Sequence, residues 1–368
     1  MRGVVATEQE TRTQKRTAGN SRNADADRVT IAMVAREAGV SAPTVSKVLN
    51  GREAVGPETR RRVQDALIST GYQRRARAET GKVGLVDFVI TELDTAWACE
   101  LLRGAEQEAY RLGASLVLTV THDRKAQPRE WLKTIASRPT DGVVLVVSNT
   151  RQVSAETLRP IDTPFVVIDQ VGGYDRDVPT IGATNWAGGF AATEHLAELG
   201  HRRIGVITGP ADVRCSLERL DGYRAALGRA GLPLDESLVR QGDFYAEGGR
   251  RAALELLDLP EPPTAIFAGS DQQAAGVYDA AHSRGLRIPD DLSVVGFDDT
   301  EVCEWMFPRL TTIRQPLAQM AVLAIRNVLE TTHTPGEQPL HLELSTSLVT
   351  RDSTAPWTAP ARAARRRA

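Results

Sequence analysis

A sharp turn at Gly39, set between two short helical stretches, constrains this chain more than any other feature. Upstream, Ile31, Val34 and Ala35 recur at i, i+3, i+4 spacing with Thr30 as N-cap, which predicts a helix from Thr30 to about Ala38. Gly39 supplies the permissive backbone a tight turn needs, and Val40 plugs the crevice beneath it. Ser41 caps a second helix that runs to about Leu49, buries Val45, Val48 and Leu49, and stops at Asn50-Gly51. A third opens at Gly56-Pro57-Glu58 and buries Val63, Ala66, Leu67 and Tyr72. Residues 28–73 therefore read as an all-α helix–turn–helix head. Modules of this kind lay their second helix in the DNA major groove. The bland alternative is a small helical domain with another task.

Charge agrees with the DNA reading. Residues 28–80 hold ten Lys/Arg against five Asp/Glu, whereas residues 81–352 hold 26 against 38, so the overall −2 hides a basic head on an acidic body. Phosphate neutralisation by such a head favours DNA and makes binding salt-sensitive. At 368 residues the chain exceeds one ordinary domain. No apolar run reaches membrane-spanning length, and the N-terminus lacks a secretory apolar segment. Cys99, Cys215 and Cys303 match no disulfide framework or metal-ligand spacing, which fits reduced thiols in a cytoplasmic protein; no cofactor or metal is called for. Residues 1–27 are polar and are expected to be disordered. The same is expected of the basic tail 353–368, with its four arginines and no acid.

From Lys82 the pattern changes to alternating strand and helix. Apolar runs at Val83–Ile90, Ser115–Val120, Gly142–Val147, Phe165–Ile168, Ile204–Ile207, Ala265–Phe267 and Ser293–Phe297 read as strands. Between several lie helical segments: Ala98–Leu112, Gly188–Leu199, Leu217–Ala230, Gly248–Leu257 and Gln272–Arg284. This is the pattern of α/β architecture, and two doubly wound parallel sheets accommodate so many strands better than one. Ligands of such sheets sit beyond the carboxyl ends of the strands.

In its head the chain resembles the lactose-repressor/galactose-repressor (LacI/GalR) family of transcriptional regulators. The matching residues are Val34-Ala35, Ala38-Gly39-Val40-Ser41, Thr44-Val45-Ser46, Val48-Leu49-Asn50-Gly51, Val55, Thr59-Arg60, Val63, Ala66 and Gly71-Tyr72. Further signposts run to about Asp352: Gly188-Gly189, His195-Leu196, Gly200-His201, Gly209-Pro210, Arg219, Gly222-Tyr223, Val294 through Asp299, and Leu310-Thr311-Thr312. The resemblance implies a two-lobed, periplasmic-binding-protein-like effector domain over residues 82–352. It further implies a homodimer on palindromic operator DNA, most simply as a repressor, and an effector between the lobes, a mono- or oligosaccharide. A nucleobase effector, loss of effector control, or a sugar-binding transport protein stand as alternatives.

Specific roles follow from the same resemblance. Ala42, Pro43 and Lys47 match base-reading positions; Ser41, Thr44 and Ser46 suit phosphate contacts or caps, and Thr30 and Asn50 join the DNA-facing set. After the first strand, Asp94 and Trp97 offer a carboxylate acceptor and a stacking ring, with Asp94 as helix cap and Trp97 as core residue the alternative. Arg219 matches an effector-contacting arginine, Phe244 an aromatic wall or a plain core residue, and Asp298 an acceptor of ligand hydroxyls. Ser270 stands where the family usually carries Asn, so an amide contact is in doubt there; Asp271 is an effector candidate, a helix cap or a hinge partner, and Trp186 a candidate stacker. Enzyme readings fare badly. Asp298-Asp299 are sequence neighbours, which rarely oppose each other across a glycosidic bond, and no nucleophile elbow, Walker A loop or zinc-protease motif is present.

One departure from the family concerns residues 74–81. Typical members have a longer hinge helix that wedges a leucine into the minor groove. Here the linker is short and lacks leucine, but it offers Arg74, Arg75 and Arg77 to a narrow minor groove or, as a flexible tether, to phosphates.

Overall fold

The computed structural model describes residues 31–49, 55–70, 83–122, 132, 135, 138–146, 158, 161, 163–169, 177–330 and 339–358. Thr30, Asn50, Arg74, Arg75 and Arg77, the 1–27 extension and the 74–81 linker lie outside the described residues. The chain divides into two units, residues 1–81 and 82–368.

In the first unit, α1 (Ile31–Glu37), α2 (Ala42–Leu49) and α3 (Pro57–Thr70) close on Val34, Ala35, Ala38, Val45, Val48, Val63 and Ala66. Each helix contributes one apolar stripe and leaves its polar face to solvent. Gly39 adopts φ +61°, a left-handed conformation that a side chain disfavours. Arg62 of α3 donates from Nη2 to the carbonyls of Ala38 (2.5 Å) and Gly39 (3.1 Å), satisfying acceptors that the end of α1 leaves free. Ser41 precedes α2 and accepts from the Thr44 amide at 3.4 Å.

The second unit holds two six-stranded sheets. The first contains β1 (Leu85–Ile90), β2 (Ser115–Val120), β3 (Gly142–Val146), β4 (Phe165–Ile168), β5 (Thr180–Ala183) and β11 (His341–Leu344), in the order β11-β5-β4-β3-β1-β2. All its neighbours are parallel. The second contains β6 (Ile204–Thr208), β7 (Val239–Gln241), β8 (Ala265–Ala268), β9 (Ser293–Asp298), β10 (Thr311–Arg314) and β12 (Ser347–Val349), in the order β12-β10-β9-β8-β6-β7. Only β12 runs antiparallel, against β10. Helices α4 (Ala96–Arg111) and α10 (Leu317–Glu330) pack their apolar stripes on one face of the first sheet. On the second sheet, α5 (Asn185–Glu198) and α6 (Arg214–Arg229) cover one face, and α7 (Ala246–Leu257) and α8 (Asp271–Ser283) the other. A short α9 (Val302–Trp305) links β9 to β10.

The chain passes between the lobes three times: at Thr184 after β5, at Gln315-Pro316 after β10, and at Ser345-Thr346 after β11. Two of these crossovers are stitched together, since the Thr184 and Thr346 hydroxyls lie 3.1 Å apart and the Thr346 amide donates to Thr184 Oγ1 at 2.9 Å.

The tail is a correction to the sequence reading. Residues expected to be disordered from Ser353 are held through Thr358 against the second lobe. Ser353 Oγ donates to the Val294 carbonyl (2.6 Å) and accepts from the Thr311 amide (2.8 Å), bridging β9 and β10. The Trp357 amide donates to the Leu199 carbonyl at 2.7 Å. Buried His201 shares hydrogen bonds with Thr264, Ser293 and the Ala355 carbonyl, and burial lowers its pKa to about 4. Composition gave no sign of these bonds because they depend on which carbonyls the sheet leaves open.

A buried carboxylate joins α4 and α10 of the first lobe. Glu108 of α4 accepts from Arg111 Nη2 (2.6 Å) and from Arg326 Nε of α10 (2.5 Å), and these guanidiniums hold its pKa down at about 2. A folded-state pKa below the unfolded one stabilises the fold above the ordinary carboxylate range, and the contribution fades as pH falls from there toward about 2. Urea midpoints of wild type and Glu108→Gln should therefore differ at neutral pH and converge in acid. A gap that stays constant with pH would assign Glu108 a role in shape alone.

Candidate functional site

Between the lobes, residues just past the carboxyl ends of β1, β4, β8 and β9 line an open cavity of about 890 Å³, solvent space included. Six of the residues singled out from sequence meet there: Trp97, Arg219, Phe244, Ser270, Asp271 and Asp298. Three of its lining residues, Asp169, Phe244 and Asp298, hold positive φ angles of 54°, 74° and 120°. Such backbone strain persists only where surrounding structure over-determines it, as at a ligand site.

Arg219 organises the floor. It projects from α6 and is 5% exposed. Its Nε donates to Asn185 Oδ1 at 2.9 Å and its Nη1 to the Gly269 carbonyl at 2.5 Å. The guanidinium lies 3.7 Å from the Phe297 ring centroid and 5.7 Å from that of Phe244, within cation–π range. Asp298 ends β9 with Oδ1 3.9 Å from Arg219 Nη1 and accepts from Gln315 Nε2 at 2.6 Å. Burial pushes its carboxyl well above the usual carboxylate range; Arg219 opposes this, while Asp271 and Asp169 add to it.

The other expected residues divide. Trp97 stands in the first turn of α4 and lines the cavity. Asp94 does neither thing expected of it: it is exposed, outside the lining, and the cap of α4 is Thr95, whose Oγ1 accepts from the Ala98 amide at 3.1 Å. Trp186 is also a correction. It stands in the first turn of α5, 47% exposed and outside the cavity lining, and stacks on Phe190 at 5.4 Å. Ser270 lines the cavity, but its hydroxyl donates to the Phe244 carbonyl (2.8 Å) and accepts from the Gln273 amide (3.0 Å) as the cap of α8. Asp271 is occupied too, accepting from the Thr300 amide, the Thr300 hydroxyl and the Thr312 hydroxyl at 2.8, 3.0 and 2.6 Å. Burial still pushes its pKa up to about 6.

Residues that sequence reasoning missed include Asp169, Cys215, Tyr245 and Thr300. Asp169 immediately follows β4, so the rule that ligands sit beyond strand ends was the available signal. Burial raises its carboxyl pKa, and Arg219 pulls it back. Burial also pushes the Cys215 thiol up, which keeps it protonated.

In the first unit, Ala42, Pro43 and Lys47 are exposed on α2, away from buried Val45 and Val48. Ser41 is also exposed, with Oγ 2.8 Å from Thr44 Oγ1, while Thr44 and Ser46 are half-buried. Among the described residues no helix is long and apolar enough to cross a membrane.

Residues 30–75 match the family described as bacterial regulatory proteins, lacI family, and residues 193–354 match a periplasmic binding protein-like domain. The ribose operon repressor of Escherichia coli (strain K12) is 36% identical over 323 residues, 87% of this chain and 98% of the relative. The chain belongs to the lacI family of bacterial regulatory proteins. As a lacI-family member it is a DNA-binding transcriptional regulator, not an enzyme. Its fold agrees with solved structures of the family. A transcriptional regulator CelR–cellobiose complex superposes with a TM-score of 0.67 at 33% identity, covering 89% of this chain and 100% of the other. The lac repressor dimer bound to operator and the anti-inducer ONPF gives 0.71 at 26% identity, covering 89% and 99%.

Proposed function

We propose that this lacI-family chain is a cytoplasmic repressor that binds a palindromic operator as a homodimer and is controlled by a small carbohydrate held between its lobes. The carrying observation is the convergence of Trp97, Phe244, Arg219 and Asp298, from distant parts of the chain, on one cavity. Aromatic faces stack on the apolar side of a sugar ring, and carboxylate oxygens accept its hydroxyl hydrogens. The cellobiose held by a structural neighbour supports the ligand class, and the operator-bound dimer supports the assembly. The direct test is anisotropy of a labelled operator titrated with the protein, with and without a panel of sugars that includes ribose and cellobiose. A panel that never changes operator affinity would defeat the carbohydrate reading.

On the DNA side, Ala42 and Pro43 offer apolar contact to a thymine methyl, and Lys47 donates to guanine O6 and N7. Lys47→Ala should relax base preference at one half-site position and cost about 1–3 kcal/mol there. Equal weakening on every sequence would make Lys47 a phosphate contact.

A half-site reader needs a two-fold partner to match a palindrome. Trp305 and Phe307 are 73% and 95% exposed around α9, apolar surface that a second copy would cover. The double variant Trp305→Glu/Phe307→Glu should sediment as a monomer and lose high-affinity operator binding. A variant that still sediments as a dimer would place the interface elsewhere.

A further inference from the structure

Where the chain from the head enters the first lobe, one side chain holds it. Asp141, the residue before β3, accepts from the Val83 amide at 2.7 Å through Oδ1 and from the Gly84 amide at 2.5 Å through Oδ2. Both amides lie upstream of Val86 and Gly142, where β1 and β3 come into register. A carboxylate that takes two backbone N–H groups makes charge-assisted bonds, stronger than the neutral bonds of a sheet. The segment before β3 is itself fixed to β1. The Asp141 amide donates to the Leu85 carbonyl at 2.8 Å, and Thr140 Oγ1 lies 3.2 and 3.0 Å from the Leu85 and Gly142 carbonyls. Arg138 pairs with the buried Asp87 carboxylate of β1. Gly84, at φ +80°, bends the chain just before the strand. Residues 138–141 therefore clamp the entering chain to two interior strands of the sheet.

We infer that Asp141 is a positioning residue for operator recognition: by pinning Val83 and Gly84 it fixes the length of chain between head and body, and so the half-site spacing the homodimer accepts. This rests on the palindrome-binding homodimer proposed above. Twelve residues, 71–82, separate Thr70 at the end of α3 from Val83. Whatever path they take, opening the clamp lengthens it by up to two residues, about 7 Å per head. Gly84 keeps its carbonyl bond to the Ser115 amide at 2.9 Å, so β1 stays in register. One base pair of spacer adds about 3.4 Å and about a tenth of a helical turn. The extra reach of each head thus matches one or two base pairs. Where spacing forbids both heads from engaging, the gain from linking them, about 10²–10⁴-fold, is lost. A clamped chain confines that gain to few spacings, and a longer one spreads it over more.

Selection from a random-sequence DNA pool gives the palindrome that the wild-type full chain binds. Fragments with one or two base pairs added or removed at its centre are then titrated. Wild type should lose affinity steeply when two base pairs are added or removed. In Asp141→Ala that penalty should shrink on the order of tenfold, and Asp141→Asn, which keeps one acceptor oxygen, should fall between. Hydrogen exchange at the Val83 and Gly84 amides reports that the clamp has opened. Glu108→Gln, which weakens the same lobe between α4 and α10, should keep the wild-type spacing profile. An open clamp with an unchanged profile overturns the inference and leaves the homodimer standing. So does a wild type indifferent to spacing, or a Glu108→Gln profile as broad as that of Asp141→Ala. If Asp141→Ala does not fold, Asp141→Asn decides on the same terms. If wild type selects no palindrome, the homodimer reading falls and this inference with it.

Discussion

Gly189→Ala should lower the thermal unfolding midpoint of the two-lobed unit and abolish the effector response, while leaving the isolated head folded. A Cβ built at Gly189 would lie 2.2 Å from the Arg219 carbonyl oxygen and 2.8 Å from its Cα. The approach is reciprocal: a Cβ at Gly222 would lie 2.2 Å from the Trp186 carbonyl oxygen. Helices α5 and α6 thus touch backbone to backbone, and one methyl must push them apart. Overpacking of this kind costs about 3 kcal/mol, the upper end of its ordinary range. In a unit of this size that is a loss of roughly 6–12 °C. The functional loss has its own cause, because separating the helices carries Arg219 away from Asn185 and Asp298. Circular dichroism melts with operator titrations ± ligand would check both. An unchanged midpoint would mean that the two helices can yield.

Arg219→Ala and Asp298→Ala should each remove ligand control and leave operator affinity unchanged, since both residues lie outside the DNA-binding unit. Arg219→Ala should be the more damaging. It deletes donors to Asn185 and the Gly269 carbonyl and leaves Asp298 and Asp169 without their nearest positive charge. Truncating one partner of a buried hydrogen-bonded pair in a binding site costs about 2–5 kcal/mol, so ligand affinity should fall at least about thirtyfold. Arg219→Lys should not rescue it, because an ammonium cannot reproduce two bonds made from opposite sides of a planar guanidinium. By linkage, the factor by which ligand changes operator affinity must equal the factor by which operator changes ligand affinity. Calorimetry with and without operator DNA measures that factor. A normal response in either variant would remove that residue from the ligand site.

The strongly patterned parts of the chain were legible in sequence. The three helices of the head were predicted within a residue or two, because Val34, Val45, Val48 and Val63 mark a buried stripe on each. Apolar runs likewise marked β1, β3, β4, β6, β8 and β9 at the centre of the two sheets, and the edge strand β2. Strands β5, β7, β10, β11 and β12 were not read. They are three or four residues long, rich in Thr, Gly and charged residues, and mostly flank the central strands, so little apolar period remains. Helix α10 also went unread, though its stripe of Leu317, Met320, Ala321, Ala324 and Val328 is plain in retrospect. The effector helices begin one to three residues earlier than predicted, and those added residues include Cys215 and Asp271 of the cavity wall and Asn185, which holds Arg219.

Cleft residues were legible where a motif named them and opaque where geometry decided. Arg219 and Asp298 came from motif positions. Asp94 and Trp97 share one loop motif in the sequence, but Thr95 takes the cap, and Asp94 is left in solvent while Trp97 lines the cavity. Trp186 misled because position in a motif does not fix which way a first-turn side chain points. Asp271 lies at the cavity wall, yet Thr300 and Thr312 already occupy its oxygens.

The crossovers have a consequence for the order in which this protein is made. The first lobe needs α10 and β11, residues 317–344, to cover and edge a sheet whose other strands are complete by Ala183. While the ribosome is adding the second lobe, Val144, Val146 and Val166 lack the Met320, Ala321 and Ile325 side chains that later bury them. The head has no such debt, since its core is complete at Thr70. Domains fold as units as they emerge, so a nascent chain displays a folded half-site reader long before it owns a finished ligand sensor. Translation halted in between leaves a chain with a head and an uncovered sheet: a reader with no means of being switched.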